Sequence, residues 1–152
     1  MATPGKNKLF TGKHTGRLDA KNRLTIPAAW RFEADGDEEY LATFYPAFGT
    51  ILVLPPEKVR SIREASENAT LGEPDVLEAM RTLGVNSASV SCDKAGRIIL
   101  SESMLHEARI TRDVFFEGGI RNFQISAPEP PPPDVSSPKA QRLLNALKAL
   151  KL

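Results

Sequence analysis

Two short stretches of this sequence carry side chains that could do chemistry, and they are copies of one another. Leu18-Asp19-Ala20-Lys21-Asn22-Arg23-Leu24-Thr25-Ile26 returns 74 residues later as Cys92-Asp93-Lys94-Ala95-Gly96-Arg97-Ile98-Ile99-Leu100. Each copy is an Asp, three residues, an Arg, then an apolar-any-apolar alternation, the pattern of a turn feeding a half-buried strand. Long cations held together on rigid turns are what phosphate binding requires, and arginine adds bidentate reach to guanine edges. The competing use is internal: each arginine can pair with its own aspartate and lock the turn. Both uses can hold at once. For Asp19 and Asp93 the turn role is favoured, since Asp accepts hydrogen bonds from turn amides and would repel phosphate. Asn22 and Gly96 occupy equivalent places and are the residue types that most readily take a positive φ.

Charge along the chain points the same way. The formal net charge is only +1, but residues 1–31 hold Lys6, Lys8, Lys13, Arg17, Lys21, Arg23 and Arg31 against the single acid Asp19. That segment is net +6 and the remainder net −5, a basic end on a mildly acidic body that suits a polyanion such as nucleic acid. Catalysis finds little support. His14 and His106 are far apart, Cys92 precedes a turn and reads as a small buried residue, and no metal-ligand or nucleophile spacing is present. The expectation is a non-enzyme without cofactor, metal or small-molecule substrate. No apolar run approaches the ~20 residues of a membrane helix, and no hydrophobic stretch follows the first lysines. A cytoplasmic protein without membrane contact is expected, and the single cysteine suits a reducing compartment.

The elements that must position these turns also repeat. After each motif comes a short helical turn, Pro27–Phe32 and then Ser101–His106, followed by a second hairpin. Those hairpins pair Tyr40–Phe44 with Gly49–Leu54, and Val114–Glu117 with Asn122–Ile125, with bends at Pro46 and Gly49 and at Gly118 and Gly119. The spacing predicts helices from Pro56 to about Asn68 and from Pro74 through Leu83. Six prolines within 127–138 predict an extended segment without hydrogen-bonded structure. Ser137 and Pro138 then open an amphipathic helix with Leu143, Leu144, Leu147 and Leu150 on one side. The predicted organisation is a basic extension (1–9), a first module (10–57), a helical connector (58–88), a second module (89–126), a proline-rich linker (127–138) and a terminal helix (139–152). Small modules with exposed strand edges should pair with each other or with another subunit.

Phe10-Thr11-Gly12, Leu18-Asp19-x-Lys21-x-Arg23-Leu24-x-Ile26-Pro27, Trp30 and Arg31 together resemble the first signature of the MraZ family. Asp93-Lys94-x-Gly96-Arg97-Ile98, with Gly118 and Phe123-Gln124-Ile125 downstream, resembles the second. The resemblance spans about Phe10 to Ile125. It implies a mainly β fold with short helices, built from tandem AbrB-like swapped-hairpin modules and assembled as a ring oligomer. It further implies a nucleoid-associated, sequence-specific regulator that binds repeats in double-stranded DNA upstream of its own operon and of cell-division and cell-wall genes. DNA contact then falls to Lys13, Arg17, Lys21, Arg23, Lys94 and Arg97, with the larger share at the first motif, where the +6 segment lies. Asn22 stands where the family usually has Gly, Ser101 where it has Pro, and Gln124 and Ser126 where Glu and Trp are common. Residues before Phe10 and after Ser126 lie outside the family pattern. A ring-forming interaction scaffold that uses the same fold without DNA is the alternative, and salt-sensitive duplex binding separates the two.

Overall fold

A computed structural model describes residues 8–31 and 39–152. Most of the basic extension, Lys6 included, and Phe32 lie outside the described residues. The fold is mainly β, with eight strands and four helices among the described residues. The strands are β1 (Lys13–Arg17), β2 (Arg23–Thr25), β3 (Glu39–Tyr45), β4 (Thr50–Leu54), β5 (Ser87–Ser91), β6 (Arg97–Ile99), β7 (Asp113–Gly118) and β8 (Phe123–Ser126). The helices are α1 (Pro56–Asn68), α2 (Pro74–Val85), α3 (Glu102–Glu107) and α4 (Pro138–Ala149), with one 3-10 turn at Ala28–Trp30. Proline opens α1, α2 and α4, where its missing N–H costs nothing and its fixed φ suits the first turn.

Six strands form one sheet in the order β1-β7-β8-β4-β3-β5, and β2 and β6 form a separate two-stranded ribbon. The hairpins β3–β4 and β7–β8 pair as their alternation requires. The strands around each Asp-x-x-x-Arg turn behave differently. They do not pair with one another: β1 lies antiparallel on β7, β5 on β3, and β2 on β6. The two outer pairings correspond at the 74-residue offset, Gly16 opposite Val114 and Tyr40 opposite Val90. β1 is exposed along most of its length, and its backbone satisfies the edge of the other half's hairpin.

The main core lies between the sheet and the ribbon. Tyr40, Ala42, Ile51, Val53, Phe116 and Ile125 come from the sheet, and Leu24, Ile26, Ile98 and Leu100 from the ribbon. Trp30 fills its centre with ring centroids 5.9 Å from Phe10, 5.2 Å from Phe123 and 6.3 Å from Phe116, and donates its indole N–H to Thr11 O at 3.2 Å. On the opposite face of β3, Leu41 and Tyr45 meet a second cluster of Leu83 from α2 with Leu143 and Leu147 from α4. Helix α4 is therefore docked, capped by Ser137 Oγ, which accepts from Ala140 N at 3.1 Å.

Two local expectations need correction. The proline segment has no regular structure, yet it is hydrogen-bonded: Asp134 N donates to Pro46 O at 2.8 Å, and Asp134 Oδ1 accepts from Ser136 N and Ser137 N. The β7–β8 bend falls at Gly119, whose N–H donates to Asn122 O at 2.8 Å, and its positive φ is on Ile120 (71°). A pair of hydrogen bonds of 2.9 Å with the backbone of Phe10 holds it there. Cys92 is half-buried, its Sγ 3.6 Å from Asp93 O, and burial raises its thiol pKa.

Candidate nucleic-acid interface

The repeated turns have the same hydrogen-bond scheme. Asp19 Oδ1 accepts from Lys21 N at 2.8 Å and Arg23 N at 2.9 Å, and its Oδ2 accepts from Arg23 Nε at 2.5 Å. Asp93 Oδ1 accepts from Ala95 N and Arg97 N, each at 2.9 Å, and its Oδ2 from Arg97 Nε at 2.8 Å. Asn22 (φ 59°) and Gly96 (φ 80°) reverse the chain in the left-handed region. Each ion pair uses Nε alone, which leaves the two terminal amino groups of each guanidinium for another acceptor. One aspartate thus sets both the turn and the direction of its arginine.

The backbone hydrogen bond from Arg23, the Arg23 side chain and the Lys21 amide together lower the Asp19 pKa from 3.8 to about 2, against a smaller opposing effect of burial. Asp93 is lowered for the same reasons, chiefly by the Arg97 backbone bond. A depressed carboxyl stabilises the fold in its ionised form, fully above the unfolded value and progressively less as pH falls through the folded one. Melting temperatures of the parent and of Asp19→Asn should therefore converge as pH drops from about 4 to about 2. A constant gap between them across that window would show that the ionised Asp19 carboxylate does not stabilise the turn.

The two turns flank the ribbon at opposite ends. Ile26 N donates to Gly96 O at 2.8 Å and Leu100 N to Asn22 O at 3.4 Å, so paired residues extend from Asn22–Leu100 to Ile26–Gly96. At ~3.4 Å per residue that is about 14 Å, close to the ~12 Å width of a DNA major groove, which admits a two-stranded ribbon. Leu24 and Ile98 face inward and are fully buried. Arg23, Thr25, Arg97 and Ile99 share the outward face, and Lys21 and Lys94 stand exposed on the turn tips.

The remaining sequence-predicted cations are placed elsewhere. Lys13 and Arg17 lie on the edge strand β1, where Arg17 Nε is 3.0 Å from Asp113 and Lys13 Nζ is 4.0 Å from Glu117. Lys13 also sits over the Phe115 ring at 4.3 Å. Arg31 is the residue whose place spacing did not reveal. Its guanidinium lies against Gly96, where a Cβ would collide with it, while its Nε donates to Ile26 O at 2.8 Å. The second turn thus borrows a cation from the first half, and Arg17, Thr25 and Arg31 line one shallow depression with His14. Residues 31 and 96 show no relation in the sequence; only the ribbon register brings them together. Among the described residues no group of three His, Cys, Asp or Glu could hold a metal ion, and no helix is long and apolar enough to cross a membrane.

No model of a known protein family matches the chain. Individual proteins do. A protein named transcriptional regulator MraZ from Mycoplasma mobile is 32% identical over 110 residues, covering 70% of this chain and 71% of its own. The protein of the same name from Gluconobacter oxydans is 31% identical over 133 residues, 80% of this chain and 77% of its own. That from Syntrophobacter fumaroxidans is 28% identical over 116 residues, 76% and 77%. With identity at this level over more than two thirds of both partners, the chain belongs to the MraZ family.

Proposed function

We propose that this protein is a transcriptional regulator that binds double-stranded DNA sequence-specifically through the outward face of the β2–β6 ribbon. The observation that carries the reading is the pair of arginines, Arg23 and Arg97, displayed together on that face and each oriented by its own aspartate. Arg23 and Arg97 read base edges, Lys21 and Lys94 hold phosphates at the two ends, and Lys13 and Arg17 add charge along the neighbouring edge strand. Asp19, Asn22, Asp93 and Gly96 shape the turns and touch no DNA. The crossed pairings of β1 with β7 and of β5 with β3 support a swapped-hairpin, AbrB-like arrangement of two modules within 10–126. Sheet edges at β1 and β5 and exposed Phe48, Leu71 and Val85 leave surface for a closed homo-oligomeric ring. In this reading the ring sits on repeats upstream of its own operon and of cell-division and cell-wall genes, in the nucleoid, and uses no cofactor.

The test pairs two measurements. Light scattering should give a mass several times the 16.6 kDa of one chain. Gel shifts on the duplex upstream of its own gene should show affinity falling linearly on a log–log plot against salt, by ~0.9 per phosphate neutralised. A monomer with salt-indifferent or absent duplex binding would overturn the reading. A ring without duplex binding would establish the scaffold instead.

A further inference from the structure

The outward face of the ribbon holds one residue that a phosphate-binding surface does not need. Ile99 is 59% exposed, an apolar side chain directly opposite Arg23 and two residues along the strand from Arg97. Hydrogen-bonded pairs at Asn22–Leu100 and Ile26–Gly96 fix the alternation of an antiparallel ladder. Arg23–Ile99 and Thr25–Arg97 are consequently non-hydrogen-bonded pairs, the closer kind, with Cα atoms about 4.5 Å apart. Four side chains therefore make one compact patch. At the repeat offset, Ile99 corresponds to Thr25, so the two halves of the patch match in their arginines and differ in the neighbour.

We propose that Ile99 reads the 5-methyl group of a thymine beside the base contacted by Arg23, and that the Ile99/Thr25 difference makes the ribbon read its two half-sites unequally. The inference rests on the DNA-binding reading above. The thymine methyl is the apolar feature that distinguishes T in the major groove, and apolar side chains are what contact it. Burying Ile99 against another protein surface would also remove both neighbouring guanidinium groups from water, at a cost their single aspartate bonds do not offset. Against a duplex those same groups meet phosphates and guanine edges. Thr25, with a hydroxyl and a methyl, tolerates more than one base at the matching position.

The probe is the duplex upstream of the gene, with each thymine replaced singly by deoxyuridine, which deletes only the methyl. The full-length protein is expected to lose roughly fourfold in affinity at one thymine per site, the worth of one buried carbon. Ile99→Thr should bind the unmodified duplex as weakly as the parent binds a duplex carrying deoxyuridine at that thymine in every repeat, and show no further loss on the latter, because the two changes remove the same contacts. Thr25→Ile should gain a second deoxyuridine-sensitive position on the other side of the site. Parent binding that is strong but indifferent to every methyl overturns the inference and leaves the DNA-binding reading standing. So does an Ile99→Thr protein that keeps the parent's deoxyuridine sensitivity, or one whose oligomer dissociates, since Ile99 would then be an interface residue. Absence of any duplex binding by the parent removes both.

Discussion

Arg23→Ala and Arg97→Ala are each expected to abolish duplex binding near physiological salt while leaving the mass of the assembly unchanged. A good bidentate contact to a base is worth ~1–3 kcal/mol, roughly 5- to 150-fold. A closed oligomer loses that contact in every subunit at once, so the losses compound through multivalency. Neither arginine belongs to the core, and both retain substantial exposure, so the oligomer has no reason to dissociate. Asp19→Ala and Asp93→Ala should show the reverse balance, with earlier melting and a smaller loss of binding, because each aspartate ties two backbone amides as well as its arginine. Charge along the sequence predicts a larger effect at Arg23. The structure moves that balance toward equality, since Arg31 lies on the second turn and Lys13 and Arg17 are paired with acids of β7. Filter binding at two salt concentrations, with thermal melts of the four variants, decides it. Arginine variants that bind normally but melt early would restrict both residues to locking their turns.

Trp30→Ala is expected to be the most damaging single change to stability. Trp30 is 2% exposed and packs on rings from both halves of the chain, Phe10 on one side and Phe116 and Phe123 on the other. Emptying such a site costs about 3–5 kcal/mol, a large share of the ~5–15 kcal/mol that holds a typical protein folded. The melting temperature should fall by roughly 6–20 °C at ~2–4 °C per kcal/mol for a chain near this size. Trp30 is also the only tryptophan, so its fluorescence reports on this cluster alone. In the parent protein, fluorescence and far-UV circular dichroism should give coincident transitions, because the cluster is shared by both halves. Separate transitions would show that the halves melt independently.

Much of this was legible in the sequence, and the illegible part has a common cause. Prolines at helix starts, apolar spacing and the Ser137 cap place α1, α2 and α4 where they are found. The Asp-x-x-x-Arg turns and the β3–β4 and β7–β8 hairpins were readable from local chemistry. Period-two alternation, however, tells which face of a strand is buried and not which strand lies beside it. Nothing local therefore distinguishes β1 on β2 from β1 on β7. The same limit hid Arg31 against Gly96, and it hid the surface on which α4 docks, since an apolar stripe requires burial without naming its partner. Of the six cations proposed to contact DNA, four fall on the ribbon or its turns. Lys13 and Arg17 fall on β1, and their acidic neighbours come from β7, a strand that sequence spacing does not assign to them.

The crossed strand pairing also sets a timetable for synthesis. Thr15 of β1 pairs with Phe115 of β7, a hundred residues later in the chain. At ~5–20 residues per second the ribosome takes about 5–20 s to supply that partner. During that interval β3 and β4 can form their hairpin, and β5 finds β3 waiting when it emerges, while β1 remains an open edge. A neighbouring nascent chain offers the same β7, so the step that closes one chain on itself can equally tie two chains together before either is released.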